Sequence, residues 1–212
     1  MPSPTDHGGL WSPGRRALTI GLVLTVTLVA SESLAVSNIM PIVDRDLTGG
    51  NSELYGWVFS GFFLGNLIGI VVAGLLIDRG SLVRPFALGL SLFSIGLLVG
   101  GLAPSMEILV AARVVQGLGT GAIPAVAYVA IRRALPEALR PRMFATLSTA
   151  WVLPGVFGPA LAGFIADTFH WRVVFLGLLP FIAVAALMTL PAVAGVGPPA
   201  EAADAELSLI HI

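Results

Sequence analysis

The chain has 212 residues, of which 56% are hydrophobic and only 11% charged, with a mean hydropathy of +0.94. That balance excludes a water-soluble globular domain and marks an integral membrane chain whose solvent is the lipid bilayer. A formal net charge of -1, with arginines scattered between apolar runs, excludes a nucleic-acid surface. The absence of cysteine removes disulfides and thiolate sites, and His7, His170 and His211 are too far apart to form a local ligand pair, so no metal or other cofactor is expected.

Taken in order, residues 1–16 read as a disordered cytoplasmic tail, rich in Pro, Gly and Ser and ending in the Arg15–Arg16 pair; a signal peptide would carry its basic residues first. Residues 17–42 are long enough to cross a hydrocarbon core of about 30 Å, which takes roughly 20 helical residues. A polar link over 44–53 leads to a second span, 54–77, in which Gly61, Gly65, Gly69 and Ala73 recur every fourth residue. Such a small-residue seam lets another helix approach closely. A third span covers 85–102, a fourth 107–131, a fifth 143–166 and a sixth 173–194, with an arginine-rich link over 132–142 between the fourth and fifth. Pro154 and Pro159 are expected to bend the fifth.

Alternating direction divides the loops into two sets. Arg15, Arg16, Arg79, Arg84, Arg132, Arg133, Arg140 and Arg142 fall in one set, and only Arg45 and Arg172 in the other, which places the N-terminus in the cytoplasm of a multi-pass inner-membrane protein. Six crossings return the C-terminal end to the same side. Residues 195–206 read as an acidic cytoplasmic linker. Residues 207–212, LSLIHI, are what CTG TCT CTT ATA CAC ATC encodes, the mosaic-end adapter of transposon-based sequencing libraries. They are expected to be non-native, with the natural gene continuing beyond Glu206.

Two charges stand out within the spans. Glu32 lies about 15 Å below the outer end of the first span, and Arg113 about 9 Å below the outer end of the fourth, counting roughly 1.5 Å per residue. Ionisable residues at such depth face a partner, a cavity or a pathway. If both look onto one cavity, Glu32 and Arg113 can bind each other directly or through water. Burial favours the neutral acid and a guanidinium favours the carboxylate, so a balanced site can load and unload a proton. A structural ion pair or a snorkelling arginine is the plainer alternative. Arg113, Gln116, Gly117 and Gly121 fall along one helical face. Asn38 and Gln116 can hydrogen-bond a substrate or a neighbouring helix, and Trp57, Phe62, Phe63, Tyr128 and Trp151 can line a cavity for lipophilic cations or simply pack. The G-L-G-T-G run of the fourth span follows no strand and is not a nucleotide loop.

Several segments, in order, resemble the motifs of the major facilitator superfamily. RVVQGLGTGA resembles its motif B, through Arg113, Gln116, Gly117, Gly119 and Gly121. PGVFGPALAG resembles motif C, the antiporter signature, through Gly155, Gly158, Pro159 and Gly163, with Ala162 replacing one glycine. HWRVVF is similar to the W-R-x-x-F entry into the sixth helix of drug:proton antiporters. ESLAVSNIMP is similar to the first-helix pattern of the same proteins, with Glu32 in the acidic place and Pro41 at its end. Motif A is partial: Gly74, Asp78, Arg79 and Arg84 match, while Gly80 comes one place early and Leu82 and Val83 occupy basic positions.

The resemblance implies an all-α membrane fold of six helices in two inverted three-helix repeats, the N-terminal half of a twelve- or fourteen-helix transporter whose C-terminal half is a missing partner. It further implies proton-coupled export of small amphipathic or drug-like molecules, with Glu32 and Arg113 coupling protons, Asn38, Gln116, Tyr128 and Trp151 facing the substrate, and Gly74, Asp78, Arg79 and Arg84 gating the cytoplasmic end. Gly117, Gly121, Gly155, Gly158, Pro159 and Gly163 are then helix-packing positions. A receptor or scaffold that kept the fold and lost transport is the alternative; no catalytic constellation points to an enzyme.

Overall fold

Hydrocarbon offers no partner for backbone N–H and C=O groups, so each apolar stretch has to satisfy them within itself, and each does so as helix. The computed structural model describes residues 9–50 and 53–197. Its helices are α1 (Arg16–Thr48), α2 (Tyr55–Ile77), α3 (Val83–Gly101), α4 (Met106–Ala134), α5 (Arg140–Thr168), α6 (Trp171–Leu176) and α7 (Leu179–Ala194), with a single 3-10 turn at Glu137–Leu139. There is no strand among the described residues. Six of these stretches are long and apolar enough to cross a membrane, α6 and α7 together forming the last.

The expected link over 132–142 is largely helical, α4 running to Ala134 and α5 starting at Arg140, and three further differences from the sequence expectation have local causes. α1 runs on through Asp44, Arg45 and Asp46, which the charge pattern assigns to a link. Val43 is fully buried, and the helix stops only where Gly49 and Gly50 turn left-handed, at φ 75° and 86°. The sixth span is broken at Gly177–Leu178, because Pro180 lacks an N–H and its ring crowds the carbonyl four residues back, so α7 restarts with proline in its first turn. At the N-terminus, residues 9–15, expected as part of a disordered tail, form turns. Leu10 is buried and its carbonyl accepts the Thr19 hydroxyl at 3.2 Å. The rest of that tail, the linker after Gly197 and residues 207–212 lie outside the described residues.

The helices form two rows. α4 lies between α2 and α3, α1 lies between α5 and α7, and α1 touches α4 where the rows meet. Exchanging the first three spans for the last three converts the α2–α4 and α3–α4 contacts into α5–α1 and α7–α1 contacts, and all four are present. This is the contact pattern of two three-helix repeats related by a pseudo-twofold.

The rows are held differently. α2 and α4 interlock through glycines at backbone distance. A Cβ at Gly65 or Gly69 would strike the carbonyl of Val114 or Leu118, and one at Gly117 or Gly121 would strike the carbonyl of Phe62 or Asn66. Gly119 points the other way, onto the carbonyl of Gly89 in α3. The glycine run of α4 is therefore a two-sided surface, its odd members divided between neighbours. α1 and α7 meet at Gly21, where Thr189 sits, and Thr25 and Thr189 share a hydroxyl contact of 3.3 Å.

Candidate functional site

Where the rows meet, α1 and α4 each contribute one charge. Arg113 Nη1 donates to Glu32 Oε1 at 2.6 Å and to Gln116 Oε1 at 2.7 Å. Both charged side chains are sealed, Arg113 at 2% exposure and Glu32 at 0%. Of the alternatives open from sequence, direct contact is the one the structure has. From α2 a third group joins them: the guanidinium carbon of Arg113 stands 4.0 Å from the centroid of the Phe62 ring. Glu32 Oε2, Arg113 Nε and Gln116 Nε2 remain without a protein hydrogen bond.

The local cause is the register of α4. Gly117 and Gly121 bring the α2 backbone against α4, and Gly96 of α3 accommodates the Gln116 Cβ. Neighbours of Arg113 are thus fixed on two sides, and its side chain extends toward α1. The single polar face expected of Arg113, Gln116, Gly117 and Gly121 is in fact divided: the two glycines serve α2, while the arginine reaches Glu32 and the Gln116 amide oxygen accepts from the arginine.

Other expected substrate-facing residues are not gathered here. Asn38 donates to the carbonyl of Pro159 in α5 at 2.6 Å, and Gly163 leaves the space its amide occupies. Asn38 is thus a helix-to-helix bond in this chain. Tyr128 and Trp151 are half exposed and border a separate small cavity of about 120 Å³ with Val26 and Phe144. Trp57 and Phe63 face outward, which leaves Phe62, only 5% exposed, as the one inward member of the aromatic set. A larger cavity of about 650 Å³ opens between α1, α5 and the sixth span, walled by Leu28, Phe157, Leu161, Ile165, Val174 and Phe181. Its hydroxyls, Thr27 and Ser31, bond back to their own helix, so it offers shape and apolar surface alone.

Of the motif C glycines, Gly163 packs on Asn38, but a Cβ at Gly155 meets nothing and one at Gly158 meets only Pro154 of its own helix. Their expected packing role is not expressed within this chain. At the end bearing most arginines, Gly80 adopts φ 95° and its carbonyl accepts from Arg133 at 3.1 Å, linking the 2–3 connection to the last turn of α4. Gly74 borders open space, Asp78 ends α2, and Asp78, Arg79 and Arg84 are exposed.

Sequence reasoning missed a cluster at the opposite end. Asp46 Oδ2 accepts the Trp171 indole at 2.8 Å and Arg172 at 3.3 Å, and Arg172 also reaches the carbonyl of Ala103 at 3.0 Å. Its guanidinium lies 4.4 Å over the Trp171 ring. This ties α1, α6 and the 3–4 connection together. The W-R pair was visible in sequence, but its partner sits 125 residues upstream in a stretch that reads as a loop.

Among the described residues the chain is an all-helical membrane bundle with the contact pattern of inverted repeats and one sealed charge pair. The Major Facilitator Superfamily model matches residues 21–209, and the chain belongs to that family. It is 30% identical over 184 residues to a probable multidrug-efflux transporter of Mycobacterium tuberculosis, which covers 86% of this chain and 38% of that protein. It is also 30% identical over 154 residues to the multidrug efflux pump SdrM of Staphylococcus aureus, covering 72% of this chain and 34% of the relative. The probable multidrug resistance protein EmrY of Escherichia coli matches at 30% over 179 residues, 84% of this chain and 34% of the relative. The chain thus spans little more than a third of these relatives. Among solved structures it resembles a D-xylose-proton symporter with a TM-score of 0.72 at 17% identity, over 92% of this chain and 52% of that one. That likeness is one of fold.

Proposed function

We propose that this chain is the N-terminal half of a proton-coupled exporter of small amphipathic molecules, working by alternating access in the inner membrane with its N-terminus in the cytoplasm. The observation that carries this reading is the Arg113–Glu32 contact, sealed from solvent at the junction of the two helix rows. Pairing stabilises the carboxylate, and a proton on Glu32 cancels the attraction and frees Arg113. The two states hold α1 and α4 with different strength, which is what a proton must do to bias a conformational change. The relatives named as multidrug-efflux or multidrug-resistance proteins support the substrate class. Loop arginines support the orientation. A C-terminal half would supply the opposite wall of the substrate path and surfaces for Gly155 and Gly158, and the loop residues Gly74, Asp78, Arg79 and Arg84 would serve its cytoplasmic closure.

The test is Glu32→Gln in the complete transporter, reconstituted in liposomes with a pH indicator inside. A lipophilic cation such as ethidium should drive proton movement in the parent and none in the variant. Unchanged coupling would overturn the proton role of Glu32.

A further inference from the structure

We infer that Phe62 is a positioning residue for proton exchange: its ring face holds the Arg113 cation in place when Glu32 takes up a proton. This rests on the reading that Glu32 is the carrier. Arginine keeps its charge throughout, so each protonation of Glu32 leaves a sealed guanidinium without its counter-ion. Among the groups at hand, Gln116 Oε1 and the Phe62 ring remain as partners. An aromatic face carries negative potential and attracts a cation most strongly where water is excluded.

The ring acts unequally on the two states. When Glu32 is ionised, its oxygen sits 2.6 Å from Arg113 Nη1, so the ring sees a nearly neutral pair. When Glu32 is protonated, the ring sees an uncompensated cation. Phe62 therefore favours the protonated state, and weakening its face should make the proton harder to load.

No other charge competes at this depth. α2 contains no Asp, Glu, Lys, Arg or His, and neither does α7. α3 carries only Arg84 in its first turn. The charged residues of α5 are Arg140 and Arg142 at its start and Asp167 at its end, and that of α6 is Arg172 at the outer surface. On α1 the others are Arg16, Asp44, Arg45 and Asp46, and on α4 Glu107, Arg132 and Arg133, all near the helix ends. Tyr55, at the start of α2, is the only titratable side chain on that helix. The position of Phe62 is fixed by the α2–α4 interlock, since its own carbonyl is the atom that abuts Gly117.

The experiment incorporates mono-, di- and trifluorophenylalanine at position 62 of the complete transporter. Fluorination withdraws negative potential from the ring face with little change of shape, so packing is retained. The readout is the infrared carbonyl stretch of the protonated Glu32 carboxyl, assigned by its loss in Glu32→Gln and titrated with pH in the purified protein. The midpoint should move stepwise to lower pH, by roughly half a unit or threefold in proton affinity across the series. Phe62→Trp, with a stronger face, should move it the other way. A midpoint indifferent to fluorination while the Glu32 band titrates would overturn the role of Phe62 alone. A Glu32 band that never titrates would overturn the proton-carrier reading beneath it.

Discussion

Breaking the buried pair from its two sides should expose an asymmetry that depends on pH. Glu32→Gln strands a guanidinium that cannot lose its proton, and a stranded buried charge costs about 3–5 kcal/mol. Arg113→Met strands a carboxylate that can escape by taking a proton. The cost of that escape is about 1.36 kcal/mol per pH unit above an ordinary carboxyl value of about 4.3, hence about 4.4 kcal/mol at pH 7.5 and about 1.6 kcal/mol at pH 5.5. In the variant the folded state holds this proton at both values while the unfolded chain has lost it. Folding therefore takes up a proton, and stability rises as pH falls. Between pH 7.5 and 5.5 the Arg113→Met variant should therefore gain about 2.7 kcal/mol relative to Glu32→Gln, a difference from which any titration of the parent cancels. Both carry the same sealed environment, with side-chain exposures of 2% and 0%, so solvent screening does not blur the contrast. The assay is thermal melting of the purified complete transporter in detergent, each variant against the parent at both pH values. Equal recovery of the two variants in acid, or none for Arg113→Met, would refute the reasoning.

Gly121→Ala should cost about 1–3 kcal/mol, because the new Cβ meets the Asn66 carbonyl, whereas Gly155→Ala should be neutral or stabilise this chain by up to about 1 kcal/mol, since its Cβ has nothing within 4 Å and alanine is the better helix former. Melting of the two variants of this chain in micelles checks the difference. At the Asp46–Trp171–Arg172 cluster, Asp46→Ala should cost about 1–3 kcal/mol by leaving the N–H of Trp171, a residue 2% exposed, unpaired. Asp46→Asn keeps an acceptor oxygen and loses only a half-exposed ion pair, worth about 0–1 kcal/mol, so a melting comparison should place it close to the parent.

What sequence could reveal follows from how each feature is encoded. The Glu32–Arg113 pair was legible because two full charges at similar depth in apolar helices have few ways to be satisfied. The close-packing seam of α2 was legible because a four-residue period of small residues lays one smooth stripe along a helix; which helix covers it, α4, was not. Phe62 stands out in the sequence only as one of five aromatics that can line a cavity or pack; its contact with Arg113 was not legible, since a phenylalanine carries no mark of a cation partner. The available signal was its place beside Gly61 and Gly65, on the edge of the face that α4 must cover. The overrun of α1 was hidden because charge was read as loop, although a helix leaving the bilayer can keep its hydrogen bonds in water. The break before Pro180 was open to prediction from proline alone, and apolar continuity masked it.

The carbonyl-against-glycine contact of α2 and α4 also has a mechanical consequence. Carbonyls of one helix sit in the notches of the other, at Gly65, Gly69, Gly117 and Gly121, like teeth in a rack. Slipping to the next equivalent register requires four residues, about 6 Å of travel, and any smaller slide meets backbone on backbone. These two helices have no fine adjustment. Arg113 and Arg133, whose guanidinium reaches the Gly80 carbonyl, stand twenty residues apart on the helix that this rack holds in register, with Pro124 between them.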